Sequence, residues 1–213
     1  MESVMTLPAR RGICLVLAAA PGGGKTSVSR KILETEPDLS LSVSATTRAP
    51  RPAETDGVHY FFKTPEAFEE MVQRDELLEH AGFLGRRYGT PRGPVEAALA
   101  QGRDVLFDIE WQGHRQLKSK LPEDVVGIFL LPPSMEELER RLRGRQQENE
   151  AEIVKRLAIA REEMTHWSDF DHVLVNRDFD ACVAEVRAIL HAARTTRVRQ
   201  PWLPGFVDTL LGR

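Results

Sequence analysis

Apolar and polar positions along this chain switch between two periods, and the switches mark its elements. Residues 13–18 form an unbroken apolar run, the pattern of a strand buried on both faces. Residues 25–36 follow with Val28, Ile32 and Leu33 on one helical face, and Pro37 closes that helix. Period-two alternation at Leu41-Ser42-Val43-Ser44 gives way to a Thr-, Arg- and Pro-rich loop over 45–57, where Pro50 and Pro52 keep the backbone extended. Val58 to Phe62 predicts a strand. Pro65 to Gln73 predicts a helix with Phe68, Met71 and Val72 as its stripe, and short strands follow at 76–80 and 83–88. A helix from Pro94 to Ala100 precedes two buried strands, 104–108 and 125–131, the second stopped by Pro132-Pro133. Ser134-Met135-Glu136-Glu137 opens a helix with a capping-box pattern. Helical periodicity resumes over 152–164, 172–175 is a last strand, and 179–198 a terminal helix. The tail after Arg199 does not continue that helix, and its apolar residues are left to dock on the body or on a partner subunit.

Strands alternating with helices predict an α/β fold, a central parallel sheet with helices on both faces. Residues 41–90 break that rhythm with consecutive short strands, so they read as an inserted subdomain. The arginine-dense stretch 140–156 reads as a second excursion. The 213 residues suffice for one domain with a sizeable core. Acidic and basic residues nearly cancel, 32 against 29, which argues against nucleic acid or an anionic membrane as partner. Cys14 and Cys182 both sit in apolar patterns and read as packed hydrophobes in a reducing compartment. Arg10-Arg11 and the apolar run to Ala20 outline a signal peptide, but its cleavage would destroy the motif that follows. No stretch has the length of a membrane span, so the expectation is a cytoplasmic, soluble protein.

That motif is Ala19-Ala20-Pro21-Gly22-Gly23-Gly24-Lys25-Thr26-Ser27, placed between strand and helix. Glycine N–H groups converge on an anion without Cβ interference, and the helix N-terminus adds partial positive charge. Lys25 reaches terminal phosphates and the Thr26 hydroxyl holds Mg²⁺. A glycine-rich surface turn is the bland alternative, and the strand–turn–helix context weighs against it. Ala19 stands where the usual pattern has its first glycine, and proline at position 21 has no physical explanation in the sequence.

A second constellation lies in the insertion. Arg48 and Arg51 sit in a stiff loop, with Tyr60 in the next strand and Tyr88 later. Forked guanidinia and phenol hydroxyls suit a phosphate monoester, whereas the loop alone reads equally as solvated basic surface. Arg140, Arg141, Arg143 and Arg145 form a basic run that reads either as a helix face paired with Glu136, Glu137 and Glu139, or as cations that close over phosphates. The six histidines are scattered without metal-ligand spacing.

The ordered series resembles that of guanylate kinases, bacterial members included, over residues 13–190. It comprises the phosphate loop, Ser44 with Thr47-Arg48-x-x-Arg51, Glu54 with Gly57-x-x-Tyr60, Glu79-His80-Ala81, Tyr88-Gly89-Thr90, Asp108-Ile109-Glu110-x-Gln112-Gly113 and Arg141-x-x-x-Arg145. The resemblance implies a P-loop nucleoside-monophosphate-kinase fold. Its core would be residues 11–43, 91–133 and 166–199, with a GMP-binding subdomain over 44–90, a lid over 134–165 and a tail over 200–213. It implies phosphoryl transfer from ATP, with Mg²⁺, to GMP and dGMP in purine metabolism. Gly22, Gly23, Gly24, Lys25, Thr26, Ser27, Arg141, Asn176 and Arg177 would bind ATP. Arg48, Arg51, Tyr60 and Tyr88 would hold the GMP phosphate, Ser44, Glu79 and Thr90 would read the guanine, and Asp108 would order Mg²⁺ waters or the substrate. Lys25, Arg51, Arg145 and Arg156 would be the transfer-site cations. An ionised Glu79 accepts guanine N1–H and N2–H₂ together, where adenine offers a lone pair. The chain departs from the family at Gln146-Gln147-Glu148-Asn149 in the lid and at Glu110, where aspartate is common. Two rivals remain: a non-catalytic guanylate-kinase-like module that binds proteins, and a P-loop kinase for another small phosphorylated acceptor.

Overall fold

The structure is a computed structural model, and it describes residues 9–83, 85–144 and 150–213. In chain order the elements are β1 (Cys14–Ala19), α1 (Lys25–Thr35), β2 (Leu39–Leu41), β3 (Ala45–Thr46), β4 (Phe61–Phe62), α2 (Pro65–Gln73), β5 (Leu77–Phe83) and β6 (Arg86–Pro91). They continue with α3 (Arg92–Ala100), β7 (Asp104–Asp108), α4 (Trp111–Lys120), β8 (Val125–Leu131), α5 (Met135–Arg143), α6 (Glu150–Met164), β9 (His172–Val175), α7 (Phe179–Arg194) and α8 (Leu203–Leu210). Strands β2-β7-β1-β8-β9 pair in parallel in one sheet, and β4-β3-β6-β5 form a second, mixed sheet.

The central strand explains the layering. Every residue of β1 is buried, and the period of two sends Leu15, Leu17 and Ala19 to one face and Cys14, Val16 and Ala18 to the other. The first set packs on Val28 and Ile32 of α1 and on Val183, Val186 and Leu190 of α7. The second set packs with Val95 and Leu99 of α3 and Leu117 of α4. Helices thus cover both faces of a parallel sheet, as the alternation predicts. Cys14 and Cys182 are buried free thiols.

The chain leaves this sheet at residues 42–44. Ser42 N–H still donates to Leu106 C=O of β7 (2.9 Å), while Ser44 C=O already accepts from Phe61 N–H (2.9 Å) in the second sheet. The predicted alternating strand is therefore split into β2 and β3. The predicted strand 58–62 shrinks to Phe61–Phe62, because Val58 and His59 N–H both bond Thr55 C=O in a turn. The terminal helix stops at Arg194, where Thr195 and Thr196 hydroxyls fold back onto the carbonyls of Ala192 and Ala193. Two helices escape the sequence reading, α4 and α8. The tail does not continue α7, yet it starts a new helix, because Pro204 falls in the first turn, where the missing N–H costs nothing.

Candidate active site

The carboxyl ends of β1, β7 and β9 meet at one edge of the first sheet, at the point where strand order departs to either side of β1. That is where open α/β sheets place ligands. The loop leaving β1 closes on itself through Gly23 N–H to Ala20 C=O (2.8 Å). Gly24, with φ of 99°, caps α1 in a left-handed conformation that a side chain would strain, and a Cβ there would meet Asn176 Nδ2 at 2.4 Å. No side chain caps α1 and no acid lies in its first turn, so its N–H groups keep their positive end for an anion. Ala19 ends β1 buried inside the sheet core, which an extended strand residue does without strain.

Lys25, the first helical residue, reaches back under the loop. Its Nζ lies 2.9 Å from Asp108 Oδ1 and 3.5 Å from Ile109 C=O. Thr26 and Ser27, the next two residues of the same first turn, are exposed. Asn176, just past β9, is buried. Its Nδ2 donates to Gly23 C=O (3.0 Å), and its own carbonyl accepts from Arg141 Nη2 (3.0 Å). Asn176 therefore braces the phosphate loop and ties it to α5. Arg177 beside it is exposed.

The second sheet presents the other group of predicted residues. Arg48 forms a two-pronged ion pair with Glu54 (2.7 and 3.0 Å), and Arg51 N–H donates to the same carboxylate (2.7 Å). The Arg48 guanidinium, followed by the Arg51 amide, holds Glu54 down at about 2. The Arg48 guanidinium also lies 5.2 Å from the Tyr60 ring centre, and Tyr60 meets Tyr88 edge-on at 6.2 Å. The two phenols and Arg48 are thus brought together. Glu54, in the quoted series but without a role there, is the residue that orients Arg48.

Glu79 of β5 and Thr90 of β6 are cross-strand partners, so both side chains emerge on one face. Thr90 Oγ1 donates to Glu79 Oε1 (2.7 Å), and both residues are buried. Burial pushes the Glu79 carboxyl above the usual range, and the Thr90 bond opposes that push. A Cβ on Gly113 of α4 would stand 3.2 Å from Glu79 Oε2, so the glycine lets α4 approach the carboxyl closely. Gln116 of the same helix bonds both the N–H and the C=O of His80 (3.0 Å each), which fixes α4 against β5.

The basic run of α5 divides. Arg140 pairs with Glu137 and Arg143 with Glu139 at helical spacing, and Arg143 also reaches Glu150 at the start of α6. Arg141 shares Glu137 but also reaches Asn176 at the phosphate loop. Arg145 and Gln146-Gln147-Glu148-Asn149 lie outside the described residues. Arg156 is half-buried on α6.

One buried carboxyl near the loop escaped the sequence reading. Glu163 of α6 is 7% exposed, and its Oε2 is buried without a hydrogen-bond partner. Burial, then the charge of Glu110, pushes it up to about 7, while Lys25 acts the other way. No local signal marks it, because it stands beside Glu162 in a helix rich in acids.

Comparison with known proteins places this geometry. Residues 11–193 match the family model described as guanylate kinase. A guanylate kinase of Paramagnetospirillum magneticum is 54% identical over 209 residues, covering 97% of this chain and 98% of its own. One of Granulibacter bethesdensis is 54% identical over 194 residues, covering 91% of each. The crystal structure of guanylate kinase from Anaplasma phagocytophilum superposes with a TM-score of 0.74 at 34% identity, covering 96% of this chain and 98% of that one.

Proposed function

The chain belongs to the guanylate kinase family and is a nucleoside monophosphate kinase, an ATP:GMP phosphotransferase; from that premise we propose how its residues divide the work. Residues 11–43, 91–133 and 166–199 form the core, 44–90 the GMP-binding subdomain, 134–165 the lid, and 200–213 a tail. The amides of Gly22, Gly23 and Gly24, with Lys25, Thr26 and Ser27, cradle the triphosphate of ATP. Arg141, Asn176 and Arg177 border it. Arg48, Arg51, Tyr60 and Tyr88 grip the phosphate of GMP, and Ser44, Glu79 and Thr90 read its base. No helix of the described residues is long and apolar enough to cross a membrane, and we place the enzyme in the cytoplasm.

The observation that carries base recognition is the buried Glu79–Thr90 bond. Thr90 spends its proton on Oε1 and turns the carboxyl so that an ionised Glu79 accepts N1–H and N2–H₂ of guanine. Adenine would set its N1 lone pair against that carboxylate in a site closed to water, and an unpaired buried polar group rejects a ligand strongly. Both GMP and dGMP are accepted, since the base and phosphate are what these residues hold.

Transfer requires positioning and charge more than covalent chemistry, because the GMP phosphate is an ionised nucleophile at neutral pH and needs no general base. Lys25 exchanges Asp108 for the phosphates of ATP. Arg51, Arg156 and Arg145 neutralise the charge that spreads over the transferred group's oxygens. The hydroxyl of Thr26 and the carboxylate of Asp108 are hard oxygen donors of the kind Mg²⁺ takes; Thr26 would hold the ion and Asp108 would order its waters. Mg²⁺ entering with ATP supplies neutralising charge on the phosphates. Closure of the insertion over GMP and of the lid over ATP excludes water, so that transfer outruns hydrolysis.

The test is ADP release with ATP and Mg²⁺ against GMP, dGMP, AMP, UMP and CMP. GMP and dGMP turn over, and the others do so about a hundredfold less efficiently. Glu79→Gln raises the KM for GMP about a hundredfold and that for ATP less than about twofold. AMP turnover equal to GMP, or equal weakening of both substrates in Glu79→Gln, would remove Glu79 as the base reader.

A further inference from the structure

The last turn of α6 holds a carboxyl that the division of labour above leaves unused. Glu163 lies on the flank of α6 that also carries Arg156, seven residues or two turns earlier. The inner stripe of the same helix, through Ala160 and Met164, packs on Ala20 at the root of the phosphate loop and on Leu138 of α5. The charged groups that face Glu163 come from three elements: Lys25 of α1, Glu110 at the entrance to α4, and Glu162 beside it on α6. Its Oε2 is buried and accepts no hydrogen bond among the described residues. An ionised carboxylate left in that state opposes its own solvation preference and the charge of Glu110. Only the Lys25 ammonium favours it.

Lys25 is paired with Asp108 at 2.9 Å. We propose that Glu163 is a positioning residue for Lys25: as a neutral acid it leaves the ammonium to the phosphates of ATP, and as a carboxylate it competes with them. The inference rests on Lys25 being a phosphate-binding cation. Its consequence is a linkage. ATP brings negative charge towards Glu163 and draws the ammonium away from it. Both changes raise the proton affinity of the carboxyl. Burial pushes the Glu163 carboxyl up to about 7, so ATP binding draws a fraction of a proton from solvent onto Glu163. Raising the pH withdraws that proton and weakens ATP.

The experiment is calorimetric titration of the whole chain with ATP and Mg²⁺ at pH 7.5, in buffers of different ionisation enthalpy, beside the KM for ATP between pH 6.5 and 8.5. The wild-type chain takes up a fraction of a proton per ATP beyond that of Glu163→Gln. Its KM rises about fivefold more across that range than that of the variant, the scale of one partly screened charge interaction. The proton demand of ATP itself is common to both proteins and cancels. A second variant, Glu110→Gln, removes the repelling charge, so Glu163 ionises more readily and the alkaline rise in KM moves to lower pH. Equal proton uptake and equal pH profiles in wild type and Glu163→Gln would overturn the inference. Lys25→Met separates the two claims. Unchanged ATP affinity in that variant overturns the role of Lys25 itself, whereas lost affinity there with no difference in Glu163→Gln overturns only the role of Glu163.

Discussion

The two ends of the parallel sheet use the same residue types for opposite purposes. At the amino ends of the strands, Asp104 is fully buried and saturated. It accepts from Ile13 N–H (2.9 Å), from both nitrogens of Arg10 (2.8 Å each) and from Arg194 Nε (2.8 Å). Asp124 takes Arg11 and Arg199, and Glu36 takes Arg187, His191 and Arg194. At the carboxyl ends Lys25 takes Asp108 and nothing among the described residues takes Glu163 Oε2, and on the second sheet Arg48 takes Glu54 and the buried Thr90 takes Glu79, so each carboxylate has fewer partners. A carboxylate with every lone pair engaged has no use for a ligand. A cation held by one half-buried carboxylate exchanges it for a phosphate more readily than one locked in a saturated network. Saturation fixes the frame, and under-saturation leaves the site free to act.

Substitutions at the two ends should therefore separate activity from stability. Lys25→Met should lower kcat about a thousandfold while leaving the melting temperature within about 2 °C, measured by steady-state assay and by thermal unfolding. Asp104→Asn should do the reverse. Stranding Arg10 and part of the bonding of Arg194 costs about 3 kcal/mol in urea unfolding, with kcat at 25 °C within about twofold. A fall in kcat with unchanged stability would break the contrast.

A third substitution tests a buried group belonging to neither end. His114 of α4 is 1% exposed, has no hydrogen-bond partner for either ring nitrogen among the described residues and stacks on Phe170 at 4.0 Å. Burial holds its pKa down at about 4. The unfolded chain binds this proton below about pH 6.5 while the folded chain does not, so its contribution is complete above that pH. It is lost as pH falls towards about 4, by roughly 2–3 kcal/mol. His114→Asn should flatten that limb of the stability–pH curve. The smallest effect is expected at Arg140, whose pairing with Glu137 is exposed. Arg140→Ala should leave the urea unfolding midpoint and the KM for ATP unchanged, unlike Arg141→Ala on the next residue.

The carboxyl-end site was more legible in the sequence than the frame beneath it. The phosphate loop is contiguous: a buried strand, three glycines and Lys25-Thr26 follow in order, and the local pattern suffices. Glu79 and Thr90 were joined by resemblance, and their pairing depends on the β5–β6 register, which no local period reveals. Helix α4 was invisible because its buried positions are Gly113, His114 and Leu117, only one of them a large apolar residue. Gln116 and Lys120 anchor it instead, through bonds to the backbone of β5. The saturated network was equally hidden. Its partners lie up to 158 residues apart, and arginine–carboxylate matching carries no periodic signature. Glu163 shows the complementary failure, since one acid in a helix rich in acids draws no attention until its burial is known.

The network at the amino ends also bears on biosynthesis. Glu36 leaves the ribosome early, yet all three of its partners belong to α7, the nearest of them 151 residues later. Arg199, which completes Asp124, follows later still. A nascent chain that has made the whole phosphate loop and both arginines of the acceptor loop still carries carboxylates awaiting their counter-ions. The phosphate loop and the acceptor-loop arginines are thus translated well before the lock that holds their scaffold, so completion of the fold waits until α7 and Arg199 have been made.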